Sequence, residues 1–248
     1  MSSIAISLVT FAVIFAGALL GVSLRRVLPQ SHLADDSREV VKLGVGLIAT
    51  LAALVLGLLI ASAKSSFDTQ NNELTDLASR VVVLDRVLAH YGPEAKEARD
   101  LLRTSIVHAL ELVSTKDFGR STAGSSSSEL LYDKIQGFSP KDDAQRSIQA
   151  QALSILMGLF QTRWLITEQR VSSVSLPLLI VLIFWLTVIF IGFGLLAPRN
   201  ATAVVSLSVS ALSVSGAIFL ILEMYSPYTG VIHLSSAALR AAVAHLGQ

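Results

Sequence analysis

Four uncharged apolar runs organise this chain: Ile4–Leu24, Leu43–Ala63, Leu176–Ala197 and Ala201–Leu222. As helices rising about 1.5 Å per residue, each reaches roughly 31–33 Å, which matches a hydrocarbon core of ~30 Å. A charge at the centre of such a run would cost about 2.5 kcal/mol or more in a bilayer, and none of the four contains one. The pattern predicts an all-α integral membrane protein with four transmembrane helices in two pairs. Residues 1–63 form the first hairpin (spans 4–24 and 43–63), and residues 176–222 form the second (spans 176–197 and 201–222). An even number of spans places both termini and the long intervening segment on one side.

Residues 64–175, between the pairs, read as a helical extramembrane domain. Leu74, Leu77, Val81, Leu84, Leu88 and Tyr91 recur at spacings of three and four and share one helix face, with Asp76, Arg80, Asp85 and Arg86 assigned to the others. Nothing between Ala63 and Ser79 breaks a helix, so the second span is expected to continue as a stalk to about Tyr91. Gly92 and Pro93 then suit a C-terminal cap and the first turn of the next helix, which runs from Glu94 to about Thr115. Residues 116–138 read as a loop built around a serine-rich tract. Ser139-Pro140-Lys141-Asp142 restarts a helix, with Ser139 as the expected cap and Ile148, Ala152, Ile155, Leu159 and Ile166 as its apolar face. Residues 223–248 form an amphipathic tail.

Small residues punctuate the apolar runs. Ala49, Ala53, Gly57 and Ala61 stand four apart in the second, Gly17 and Gly21 in the first, and Thr202, Ser206, Ser210 and Ser213 line the fourth. Lipid supplies no hydrophobic force between helices, so such stripes mark close helix approach. Packing within the protomer is the expected use of the second-span stripe, and a pore or protomer interface is the alternative. Lys64 stands at the mouth of that span, where a lysine snorkels to the interface or supplies fixed positive charge. Glu223 ends the fourth run and is expected at the aqueous boundary. Near the span ends, Arg25, Arg26, Arg38, Lys42 and Arg199 outnumber Lys64, Arg163 and Arg170, which leans toward cytoplasmic short loops.

Composition narrows the chemistry. Hydrophobic residues make up 52% and charged residues 15%, and a net charge of +1 provides no field to gather nucleic acid. The chain has no cysteine, which removes disulfides, thiolate zinc sites and cysteine nucleophiles. Its five histidines are scattered singly; His108 shares a helix face with Glu111 but has no second histidine beside it. No catalytic residue, metal site or cofactor is expected, and enzyme function is not. The residues taken alone lead to a non-enzymatic membrane interaction or scaffold module whose stalk helices bind one another or a protein partner.

Several stretches together give a resemblance. His32-Leu33-Ala34-Asp35-Asp36-Ser37-Arg38-Glu39-Val40-Val41-Lys42-Leu43-Gly44 is followed by Leu56–Lys64, then by Leu84-Asp85-Arg86-Val87-Leu88-Ala89-His90-Tyr91-Gly92-Pro93-Glu94. Phe193–Asn200 follows, with Arg199 and Asn200 at the membrane edge, and then Ile218–Glu223 with Pro227, Gly230 and Ile232. In order and spacing, the chain resembles the bacterial bestrophin-like membrane proteins, which bear a remote likeness to bestrophin anion channels. That resemblance implies a homo-oligomer in the bacterial inner membrane with a pore lined by the second span, near Ala49, Ala53, Gly57, Ala61 and Lys64. It also implies cytoplasmic termini and a cytoplasmic middle domain, the opposite of the charge count. Family members often carry Asp-Arg where this chain has Tyr225-Ser226, so a role resting on a Glu–Arg pair at Glu223 does not transfer.

Overall fold

The computed structural model describes residues 2–27, 35–114, 123–169, 175–198, 200–225, 231–232 and 235–247. Regular structure among them is helical: α1 (Ser3–Val27), α2 (Asp35–Tyr91), α3 (Lys96–Ser114), α4 (Ala123–Gln136), α5 (Asp143–Gln169), α6 (Leu176–Leu196), α7 (Ala201–Met224) and α8 (Ala237–His245), with a 3-10 turn at Pro93–Ala95 before α3. Helices α1, α2, α6 and α7 are long and apolar enough to cross a membrane. The chain divides into two compact units, Met1–Ser66 with Ser173–Tyr225 and Phe67–Ser172 with Ser226–Gln248. Helix α2 contributes its first part to one unit and its remainder to the other.

In the apolar unit, α1 and α6 approach so closely that glycine is a requirement. A Cβ at Gly21 would collide with the Ile191 carbonyl and stand 2.9 Å from the Leu195 nitrogen, and a Cβ at Gly194 would collide with the Ala18 carbonyl. A Cβ at Gly17 would stand 3.0 Å from the Thr187 Cγ2. Contact positions rise together along the two helices, Gly17 with Thr187 and Gly21 with Ile191, so α1 and α6 run parallel. The expected use of Gly17 and Gly21 as a packing stripe is therefore met between these two helices. Arg25, in the last turn of α1, donates from a guanidinium nitrogen to the carbonyl of Ala197 beyond α6, satisfying a C-terminal acceptor that lipid could not. Helix α7 meets α1 through a buried hydroxyl: Ser215 Oγ donates to the Ser7 carbonyl at 2.5 Å. Asn200 caps α7 by accepting from the Ala203 N–H at 2.9 Å.

In the other unit, the six residues assigned to one face of α2 are all buried: Leu74, Leu77, Val81, Leu84, Leu88 and Tyr91. They share a core with Ala98, Leu102 and Ile106 of α3, Leu131 and Ile135 of α4, and Ala152, Leu156 and Leu159 of α5. Leu239 and Ala242 of α8 and Leu246 beyond it complete that core. Helix α2 does run unbroken to Tyr91, and Gly92 ends it with φ of 123°, a backbone conformation that L side chains rarely adopt.

Three local expectations change. Helix α2 begins at Asp35, inside what reads as a loop before the second span, and Asp35 and Asp36 in its first turn suit the positive end of the helix dipole. The serine-rich region is helical from Ala123, because Leu131 and Ile135, four apart, bury one face and carry the helix backward from that anchor; residues 116–122 lie outside the described residues. The cap of α5 is Asp142 rather than Ser139: its carboxylate accepts from the Gln145 N–H at 2.7 Å. The Gln145 side chain in turn accepts from the Lys141 N–H at 2.8 Å, a reciprocal arrangement of the capping-box kind.

Candidate functional site

The apolar part of α2 presents two unlike sides. Val45, Ala52, Leu59 and Ala63 are buried in the core shared with α1, α6 and α7, and Val45 occupies the space that a Cβ on Gly192 would need. Residues seven apart return nearly to the same side of a helix, whereas residues four apart advance by about 40° per step. The stripe of small residues therefore turns away from the buried side as it climbs. Ala49 is half-buried, while Ala53, Gly57 and Ala61 are exposed in the protomer, as is Lys64. A Cβ on Gly57 would meet nothing within 4 Å. Of the small stripe of the second span, Ala49 packs against the protomer core, and Ala53, Gly57 and Ala61 lie outside it. The closest helix approaches within the protomer are at Gly17, Gly21, Gly192 and Gly194. The hydroxyl stripe of α7 behaves likewise: Thr202, Ser206, Ser210 and Ser213 are exposed, and Ala211, Ser215 and Ile218 are the buried side.

Glu223 does not lie at a solvated boundary of the protomer. It is 2% exposed, buried alongside Ile221 and Leu222 in the last turns of α7. Just beyond it, the Tyr225 hydroxyl pairs with Ser62 Oγ of α2 at 2.9 Å. Asn200 is exposed and serves as the helix cap. Arg199, Pro227 and Gly230 lie outside the described residues. The structure thus joins α2, near the end of its apolar part, to the end of α7 through Ser62 and Tyr225, and among the described residues it does not gather the other candidates into one cluster. Among the described residues no group of acids and histidines could hold a metal ion.

The helical unit contains a charged centre that periodicity misassigns. Its charge places Asp85 with the polar faces, yet it is 2% exposed. Arg99 of α3 grips it with two parallel bonds, Nε to Oδ1 at 2.7 Å and Nη2 to Oδ2 at 2.9 Å. Oδ2 also accepts the backbone N–H of Gly247, just past α8, at 3.1 Å. Gly247 has φ of 86°, and a Cβ there would sit 3.8 Å from Arg103 Nη1. A carboxylate this deep needs such partners, since an unpaired buried charge is heavily penalised. The clue was available in the spacing: Asp85 is four residues from Val81 and three from Leu88, on the same side as the apolar set.

Burial alone would raise the Asp85 carboxyl, but the hydrogen bonds from Arg99 and Gly247 and the charges of Arg99 and Arg86 outweigh it and hold it below the ordinary carboxylate range. The same pair raises the Arg99 guanidinium, chiefly through its hydrogen bonds to Asp85. A carboxylate with a depressed folded value stabilises the fold fully above its unfolded value of about 3.9 and loses that contribution as pH falls through the folded value. The helical unit should therefore keep its stability from neutral pH down to about 5 and lose it progressively below about 4, with Asp85→Asn flattening that acid limb. Thermal unfolding followed across this range checks the prediction; an acid limb unaltered by Asp85→Asn would assign it to other carboxylates.

Comparison with known proteins follows the same outline. The Bestrophin-like domain matches residues 12–239, most of the chain. Two solved structures of a bacterial bestrophin homolog from Klebsiella pneumoniae, each a point mutant, share its fold. One aligns with a TM-score of 0.65 at 16% identity, covering 95% of this chain and 99% of that one. The other gives 0.64 at 15% identity, covering 94% and 97%. At this identity the likeness is one of fold. None of the curated proteins matches the chain. With its four apolar helices, its fold and a domain match that spans nearly its full length, the chain belongs to the bestrophin-like family.

Proposed function

We propose that this protein is an oligomeric anion channel of the bacterial inner membrane, with α2 lining a central pore. The observation that carries the reading is the outward side of α2. Ala53, Gly57 and Ala61 lie exposed on an apolar helix, with open space around Gly57, in a chain of the bestrophin-like family. Copies of this helix arranged around an axis would form a narrow apolar neck. Lys64, exposed at the end of the run, would add positive charge at its mouth. Family membership favours this reading over the non-conducting interaction module that the residues alone suggest.

In this reading α1, α2, α6 and α7 are four crossings in two pairs, and the helical unit, inserted between the pairs, stands outside the bilayer. The parallel run of α1 and α6 supports this, because the first and third of successive crossings must point the same way. The partners are the lipid bilayer and further copies of the chain; the stalk helices offer a surface for another protein, and no cofactor is invoked. A Glu223 pair with a neighbouring arginine is not part of the proposal, since Tyr225 and Ser226 occupy those positions.

The test is subunit counting by native mass spectrometry in nanodiscs, followed by anion flux from proteoliposomes. A closed ring with flux is expected. Gly57→Leu should cut flux by about tenfold or more while leaving the subunit count unchanged, because the new side chain enters the pathway and its Cβ meets nothing within 4 Å in its own protomer. A monomer or dimer, or unaltered flux in Gly57→Leu, would overturn the assignment of α2 to a pore.

A further inference from the structure

The C-terminal segment closes the helical unit in an unusual way. Helix α8 is nine residues long, below the roughly 12–15 at which helices begin to persist alone in water, so docking is what holds it. Its hold includes Leu239, Ala242 and Leu246, all buried in the core of the unit, and the backbone bond from Gly247 N–H to Asp85 Oδ2. Ala238 and Val243 pack partly buried against the same core, while Arg240 and Ala241 are exposed. By contrast, α2 commits six large buried side chains to the same core. Arg99 holds the same carboxylate through two further bonds, which come from α3 and not from the C-terminal segment.

We propose that residues 235–247 form a strap that docks on the helical unit and releases from it as one piece, with Asp85 as the latch for the Gly247 N–H. Two features support release as one piece. The buried side chains of the segment are confined to one short helix and the residue after it. Its single bond to the Asp85 carboxylate lies at its extreme end. Regions with few buried contacts open independently of, and more readily than, the core around them. The proposal concerns docking only and stands whether or not the protein conducts ions.

Hydrogen exchange read by mass spectrometry on the full chain in nanodiscs tests it. In the wild type, the amides of Arg240–Leu246 should exchange faster than those of Val81–Leu88, and as a correlated group. Deleting Gly247 and Gln248 removes the donor and leaves the Asp85–Arg99 pair intact. It should lower protection across Arg240–Leu246 by about three- to tenfold, the weight of one hydrogen bond, with Val81–Leu88 unaltered. Asp85→Asn should lower both, with the α8 amides falling further than the α2 amides by at least that factor. Equal wild-type protection in the two segments would show that α8 opens only with the whole unit and would overturn the strap. Unchanged α8 protection in the deletion would overturn the latch.

Discussion

Gly21→Leu should leave little or no folded protomer, judged by monodisperse elution in detergent and by helical signal on heating. Gly194→Ala should already destabilise it by about 3 kcal/mol, at the upper end of what overpacking costs. At both sites the colliding atom belongs to the backbone of the facing helix, Ile191 for Gly21 and Ala18 for Gly194, so no rotamer change can make room. Relief requires α1 and α6 to move apart, which opens the core that Ile14 and Ala18 share with Leu186, Ile189 and Phe190. Gly57→Ala is the matched control: nothing lies within 4 Å of the added carbon, and stability should stay within about 0.5 kcal/mol. A wild-type-like Gly194→Ala would show that the two helices do not approach this closely.

The second large effect belongs to Asp85. Asp85→Ala should cost about 2–4 kcal/mol, because it strands the Arg99 guanidinium, whose side chain is only 24% exposed, and frees the Gly247 N–H as well. Removing Arg99 in addition should recover part of that loss, since the penalty lies largely in an unpaired charge. The measurement is a double-mutant cycle of chemical denaturation, with a coupling of about 1 kcal/mol or more expected between the two positions. By contrast, the exposed pairs Lys134–Glu97 and Lys141–Glu94, at 2.8 and 2.6 Å, lie in water and should contribute little despite their short distances. Additive Asp85 and Arg99 losses would mean that solvent already screens the pair.

What could be read ahead of the structure depended on whether the signal was local. The helix that carries Leu74 to Tyr91 was legible because spacing alone defines which residues share a face, and all six are buried as expected. The stop at Gly92-Pro93 was legible for the same reason, each residue having one backbone habit that suits it. The α5 cap was harder, since Ser139, Asp142 and Gln145 all fit a helix start and only the carboxylate geometry selects Asp142. The serine-rich region was misread because serine favours loops in isolation, while Leu131 and Ile135 hold the helix through contacts that composition does not record. Asp85 is not legible as a buried group from its charge, because the partners that permit its burial, Arg99 and Gly247, stand 14 and 162 residues away in the chain.

From sequence alone come the four apolar runs, their lengths, the helical character of the middle segment and the family resemblance, because each rests on residue type and spacing along one chain. Tertiary structure decided which small residues are used for packing within the protomer. Gly17, Gly21, Gly192 and Gly194 are consumed between helices, and Ala53, Gly57 and Ala61 are left open. It also decided that Asp85 is a buried partner of Arg99 and of the chain's own C-terminal end, and that Glu223 is buried within the protomer. The physical reason is common to all of them. A glycine or a carboxylate has the same composition and periodicity wherever it stands, and its role depends on which distant atoms the fold brings within a few ångströms of it.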